Sequence, residues 1–173
     1  VVKGVVAHGK DGATAYMGEV VVDATGDGDV AASAGCRYQM GNDRGELQPV
    51  TMLLRLGQVD IDAFRHYLEE HPEECSVHAG FGAKIPYEAI QGKDRFIFIG
   101  MPALLKRAEI EEGYLNAVDR ISFVTNSVPG TITINCTRIG DIRATRTDDL
   151  SRAELEGRQQ AMKLARFLRE YVP

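Results

Sequence analysis

Two hydrophobic periods alternate along this chain, one of about two residues as in strands and one of about 3.6 as in helices. Residues 1–7 are apolar and β-branched, and Gly9-Lys10-Asp11-Gly12 is a turn signal. Residues 13–18 and 20–23 read as two more strands, so the chain opens as a β-meander. The unbroken Val20-Val21-Val22 predicts a last strand covered on both faces. Asp29 is placed to cap a short helix over 30–34, and Gly35 to end it. After a loop at 41–45, Val50, Met52, Leu54 and Leu56 alternate with Thr51, Leu53, Arg55 and Gly57, the pattern of a half-buried strand.

The helical period takes over next. Asp60 can cap a helix with Ile61, Phe64, Tyr67 and Leu68 on one face, and Pro72 follows its end. Residues 76–92 are glycine-rich and irregular. A short buried strand is predicted over 96–99, and Pro102 fits the first turn of a helix through about Glu112. Residues 121–126 and 131–138 read as a hairpin joined through Pro129-Gly130. Its second strand puts Ile132, Ile134 and Cys136 on one face and Thr131, Thr133, Asn135 and Thr137 on the other. That polar face is either solvated or the lining of a ligand cavity. Ser151 and Glu154 form a capping box, Leu150 and Leu155 a staple, and Ala161, Leu164, Ala165 and Leu168 the apolar stripe of a last helix. The predicted class is α+β: a β-meander, then a mixed or antiparallel sheet flanked by helices.

Composition narrows the setting. Of 173 residues, 44% are hydrophobic and 26% charged, which suits a globular chain long enough for a core. The net charge is -5 and no basic cluster stands out, which argues against nucleic acid and anionic membrane surfaces as partners. Cys36, Cys75 and Cys136 show no pairing pattern, so reduced thiols and a cytoplasmic setting are expected. No apolar run reaches the ~20 residues that span a bilayer. The chain starts in a strand pattern and stops directly after a helix, which points to a fragment of a larger protein.

The candidate chemistry lies in the run from Val20 to Gly35. Gly26-Asp27-Gly28-Asp29-Val30-Ala31 satisfies G-x-G-x-x-A, but two carboxylates at its variable positions would repel a pyrophosphate. As a calcium loop the run fails, because Ala34 stands where a bidentate glutamate is needed. A D-x-D nucleophile pair is weak, since 24–26 separate it from the strand end. A fourth reading remains: Gly26 and Gly28 let the backbone approach a ligand closely, with Asp27 and Asp29 accepting hydroxyl hydrogens, as from a ribose. Its plain alternative makes Asp29 a cap and Asp27 solvated. His8, His66, His71 and His78 are scattered, the cysteines lack a C-x-x-C, and Gly80-Phe81-Gly82 has no third glycine, so neither a metal site nor a catalytic residue is assigned.

Taken together, D-A-T-G-D-G-D and the downstream Q-P-V-T resemble FAD-dependent oxidoreductases of the two-dinucleotide-binding-domain superfamily, related to fumarate reductase and succinate dehydrogenase flavoproteins. The resemblance continues through "TITINCTRIGDI" and the last helix. It implies that 1–38 are part of an FAD-binding domain, 39–146 a substrate-type domain, and 147–173 a helix leading back toward the first. It further implies that the turn Ala24-Thr25-Gly26, continued by Asp27-Gly28-Asp29, belongs to the FAD site, with Thr25 and Gly26 beside the adenosine and pyrophosphate portion and Asp27 and Asp29 behind them or capping the helix. Gln48, Pro49 and Thr51 would come near the flavin ring. Asn135 and Arg138 would face a small-molecule substrate, their alternative being strand polarity and surface charge. The strand and G-x-G-x-x-G turn with which such enzymes begin are not in this sequence. The isolated chain is therefore expected to hold FAD weakly, to be inactive, and to need the missing Rossmann half. Self-association through the uncovered meander is expected as well. The rival reading is a non-catalytic α+β binding or interaction module.

Overall fold

The computed structural model describes residues 2–75, 86–112 and 119–173. Two compact units divide the chain, residues 1–45 and residues 46–173. It has both helices and antiparallel sheets, an α+β protein. The glycine-rich stretch predicted over 76–92, with Gly80-Phe81-Gly82 and His78, falls largely outside the described residues.

The first unit is a hairpin followed by a turn and one short helix. Strands β1 (Gly4–Gly9) and β2 (Gly12–Met17) pair antiparallel, Gly4 opposite Met17 and Gly9 opposite Gly12. Only Lys10 and Asp11 make the turn. Gly4 is required by crowding, because a Cβ there would sit 2.1 Å from the Tyr16 carbonyl oxygen. The third meander strand predicted over 20–23 does not form. A strand needs a neighbour for its ladder, and no strand of this unit pairs with it. Val20 and Val22, expected under cover on both faces, are 82% and 81% exposed. Helix α1 (Asp29–Ser33) follows. Gly35 ends it at φ +80, with Gly35 donating to the Ala32 carbonyl and Cys36 to the Ala31 carbonyl, the double bond of a Schellman stop. No described residue of this unit is buried.

The second unit is a four-stranded antiparallel sheet in the order β3 (Leu54–Leu56), β6 (Ile132–Ile134), β5 (Ile121–Thr125), β4 (Ile97–Gly100). The register aligns Leu54, Ile134, Phe123 and Phe98 in one row and Arg55, Thr133, Val124 and Ile97 in the next. Successive strand residues point to opposite faces. The first row therefore enters the core, where Ile134 and Phe98 are fully buried, and the second faces away, with Ile97 57% exposed. Three helices close the core side: α2 (Ile61–Glu70), α3 (Pro102–Glu112) and α4 (Thr147–Tyr171). Phe64, Leu68, Leu104, Leu105, Ala108, Leu164 and Phe167 are their contributions. The Phe64 ring meets that of Phe98 edge-on at 5.0 Å between centroids.

Helix α2 starts where its sequence says, with Asp60 accepting from the Asp62 and Ala63 amides at 3.1 and 2.9 Å. Helix α4 starts a turn earlier than its predicted capping box. Leu150 already donates to the Arg146 carbonyl, so Ser151 lies inside the helix and caps nothing. Asp148 and Asp149 occupy the first turn, where the helix dipole favours acids, and Asp149 accepts from the Arg143 amide at 2.9 Å. Leu150 and Leu155 are exposed and do not staple it. The buried stripe runs Ala153, Gly157, Ala161, Leu164 and Phe167, with Ala165 and Leu168 half-buried beside it.

Candidate functional site

The turn at 23–29 is built on Asp23, a residue the sequence places at a strand end and not among the cofactor-binding residues. The Asp23 carboxylate accepts from the Thr25 amide at 3.0 Å and the Thr25 hydroxyl at 2.7 Å through Oδ1, and from the Ala31 amide at 2.7 Å through Oδ2. Thr25 Oγ1 in turn accepts from the Asp29 amide at 3.0 Å. One carboxylate and one hydroxyl thus satisfy the Asp29 and Ala31 amides at the start of α1. These bonds hold the Asp23 carboxyl below its usual range, the Thr25 amide contributing most. The helix cap is Gly28 at φ +74, with no side-chain bond of its own. Asp29 is the first residue of the helix, not its cap. The signal was available, since Asp-x-Thr is a pattern whose side chains bond nearby backbone.

Gly26, at φ +89, and Gly28 adopt conformations that side-chain-bearing residues avoid. A Cβ at either would meet nothing within 4 Å. Both glycines are demanded by the turn and leave open space around it. Ala24, Thr25, Gly26, Asp27 and Asp29 are all exposed.

Residues 46–173 gather a second polar cluster. Thr51 Oγ1 donates to Asn135 Oδ1 or to the Thr137 carbonyl, each at 3.0 Å, and lies 3.1 Å from Thr137 Oγ1. Thr137 Oγ1 accepts from the Met52 amide at 2.6 Å and donates to the Met52 carbonyl at 3.0 Å. Thr137 is only 5% exposed, so it leaves the polar face, solvated or cavity-lining, that it was expected to share with Thr131, Thr133 and Asn135. Ladder pairing of β6 stops at Ile134, so the alternation lapses and Cys136 and Thr137 are buried in succession. The Thr137 hydroxyl does there what a strand neighbour's backbone would do. Ile132, Ile134 and Cys136 are buried as their pattern predicts, and Thr133 bonds Asn126.

Gln160 of α4 clips the next residue, accepting from the Arg138 amide at 2.7 Å and donating to the Arg138 carbonyl at 2.9 Å. Arg138 itself is exposed. Val50 exchanges both backbone bonds with Ile139, which fixes the chain directly after the exposed Gln48 and Pro49. Of the predicted residues, the fold therefore joins Thr51 to Asn135 and holds the backbone of Arg138 nearby in sequence.

Reactive side chains add little. The Cys136 thiol lies between the Ser122 amide and carbonyl, and burial pushes it up to about 11, so it is not a thiolate near neutral pH. His66 faces Glu69 and Glu70 at 3.6 Å on an exposed helix surface. Among the described residues no group of three or more metal-ligating side chains comes together. None of their helices is long and apolar enough to cross a membrane.

The family model described as FAD dependent oxidoreductase matches residues 1–173, the whole chain. No curated protein matches it, and no solved structure does.

Proposed function

The chain belongs to the FAD dependent oxidoreductase family, and we propose that it gives such a flavoenzyme part of its FAD site and its substrate-type domain. Residues 1–38 are its share of the FAD-binding domain, 39–146 the substrate-type domain, and 147–173 the helix that leads back. In the structure this helix also lends Leu164 and Phe167 to the core of the second unit.

The turn held by Asp23 carries the reading, because its glycines leave open space at Gly26 and Gly28. Its donor set suits the adenosine side of FAD. Main chain at 24–28 can lie against the nucleoside, and the Asp27 and Asp29 carboxylates can accept ribose hydroxyls. Pyrophosphate fits poorly here. The opening amides of α1 already donate to Asp23 and Thr25, the helix has five residues, and three carboxylates stand along the turn. This narrows the wider role expected for Thr25 and Gly26. Thr25 and Asp23 hold the bend, and Ala24, Gly26 and Gly28 supply its surface.

Bound FAD supplies the hydride or electron transfer, while protein supplies binding and orientation. Gln48, Pro49 and Thr51 approach the flavin side, and Asn135 and Arg138 receive a small-molecule substrate. Thr51 orients the Asn135 amide, and Gln160 fixes the Arg138 backbone, leaving its guanidinium for an anionic or carbonyl group.

The test is spectroscopic. The polypeptide that carries the chain is purified and its visible absorption recorded, with flavin bands and near-stoichiometric FAD expected. Gly26→Val puts a branched side chain at positive φ in the open space, and should weaken FAD binding about tenfold or more with the core of 46–173 intact. A colourless polypeptide that takes up no added FAD, or a Gly26→Val variant that binds FAD as before, overturns the reading.

A further inference from the structure

We propose that the face of the four-stranded sheet turned away from the core binds a small carboxylate with an apolar body, and that Arg55 receives its charge. As a substrate site this face rests on the flavin reading; the class of ligand goes beyond it. Alternation puts Arg55 of β3, Thr133 of β6, Ser122 and Val124 of β5, and Ile97 and Ile99 of β4 on that face. None of them is acidic, in a chain whose 25 acids outnumber its 20 lysines and arginines. Arg55 is the only charged residue among the described residues of the four strands. It is exposed, and it has no hydrogen bond or ion pair among the described residues.

Its neighbours set it apart from an ordinary solvated charge. Thr133 stands directly opposite Arg55 and is engaged by Asn126 at 3.1 and 3.2 Å. Asn135 follows two residues along, on the same face and exposed. The Thr51 hydroxyl lies 3.0 Å from Asn135 Oδ1, which turns the donor end of the amide outward. Diagonal positions on antiparallel strands are roughly 7–8 Å apart, within reach of a long side chain. The guanidinium and the amide can therefore grip one acceptor group together, and the planar fork of arginine matches a carboxylate. The same row continues from Arg55 and Thr133 to Val124 and Ile97, both exposed. Strands lie roughly 4.8 Å apart, so Val124 is about 10 Å across the sheet from Arg55. A ligand with its carboxylate at Arg55 and an apolar body along the row covers both side chains. A free phosphate or sulfate would leave them bare.

The probes are 4-phenylbutyrate and its neutral amide, titrated calorimetrically into the polypeptide that carries the chain. The acid should bind one site per chain, about tenfold tighter than the amide. Arg55→Gln should remove that preference with FAD content and unfolding midpoint unchanged, and Arg55→Lys should keep part of it. Val124→Ser should weaken both probes. No binding of the acid, equal binding of acid and amide, or a preference that survives Arg55→Gln overturns the proposal. Loss of FAD in Arg55→Gln also overturns it, because the guanidinium would then serve the cofactor's phosphates. A colourless polypeptide that keeps the preference removes the flavin reading alone, and a yellow one without it removes this proposal alone.

Discussion

Residues 2–45 and 46–173 are folded by different physics. The first stretch has no buried residue, and nine of its large apolar side chains, among them Val6, Tyr16, Met17, Val20 and Val22, lie open. Its shape comes from local bonds: a hairpin ladder, the carboxylate of Asp23 and a glycine stop. The second stretch is held by burial, with a core from Phe64 to Phe167 shared by sheet and helices. Local bonds can set a turn's geometry without apolar burial, though each adds only about 1 kcal/mol net. The comparison separates a unit shaped by local bonds from one held by a buried core.

The largest break in that comparison comes from the core. Phe98 is fully buried, and its ring meets those of Phe64 and Phe123 at 5.0 and 5.3 Å. Phe98→Ala should cost about 3–5 kcal/mol in urea unfolding followed by circular dichroism. Val6→Ala, on the open hairpin, should stay within about 0.5 kcal/mol. Equal losses would mean that the hairpin is cored after all.

Thr137→Val comes next. The substitution keeps the shape but removes the acceptor of the Met52 amide and leaves a half-buried donor unpaired. A loss of about 1–3 kcal/mol is expected, with Thr137→Ser restoring much of it. Thr137 also marks where sequence stopped being sufficient. The α2 cap at Asp60 and the faces of Ile132, Ile134 and Cys136 were legible because near neighbours decide them. Burial of Thr137 depends on Met52, 85 residues away, and no period of two predicts it. The strand expected at 20–23 failed for a related reason, since hydrophobic sequence specifies a strand but not the partner that pairs with it. The start of α4 was misread because Ser-x-x-Glu also occurs inside helices, and Asp149 had already tied the entry. Asp23, by contrast, is legible, because Asp-x-Thr is a local pattern whose side chains bond the nearby backbone.

Two acids sharpen the contrast through pH. Glu74 is buried at 3% exposure, accepting the Tyr67 hydroxyl at 3.3 Å and the Ala103 amide at 3.2 Å, and burial raises its carboxyl above the ordinary 4.5. The same burial and the Glu74 charge push Tyr67 up to about 12. A raised acid contributes stability fully present below pH 4.5 and lost as pH rises through the folded value. Asp23 runs the other way. Its folded value lies below 3.8, so its contribution is present above that pH and lost as pH falls through the folded value. Urea midpoints measured from pH 4.5 upward should therefore decline for the wild type and flatten in Glu74→Gln. Amide protection at Thr25 and Ala31 should fade only below about pH 4, and be absent at every pH in Asp23→Ala. A Glu74→Gln variant with the wild-type slope would remove burial as the cause.

The smallest effect on stability is expected where exposure is greatest. Val20 and Val22 touch little, so Val20→Asp with Val22→Asp should leave the unfolding midpoint of 46–173 within about 0.5 kcal/mol of wild type. Their effect should appear instead in association. Open apolar side chains that gather into a patch are seldom left bare, and here Val20, Val22, Tyr16 and Met17 all lie open on one short unit. Sedimentation velocity of the wild-type chain should show mass rising with concentration, and the double aspartate variant should stay monomeric over the same range. Two charges inserted into such a contact would have to be desolvated unpaired, which is costly enough to break it while costing the free monomer almost nothing. A wild-type chain that remains monomeric throughout would mean that the open valines, despite their exposure, are not an adhesive edge.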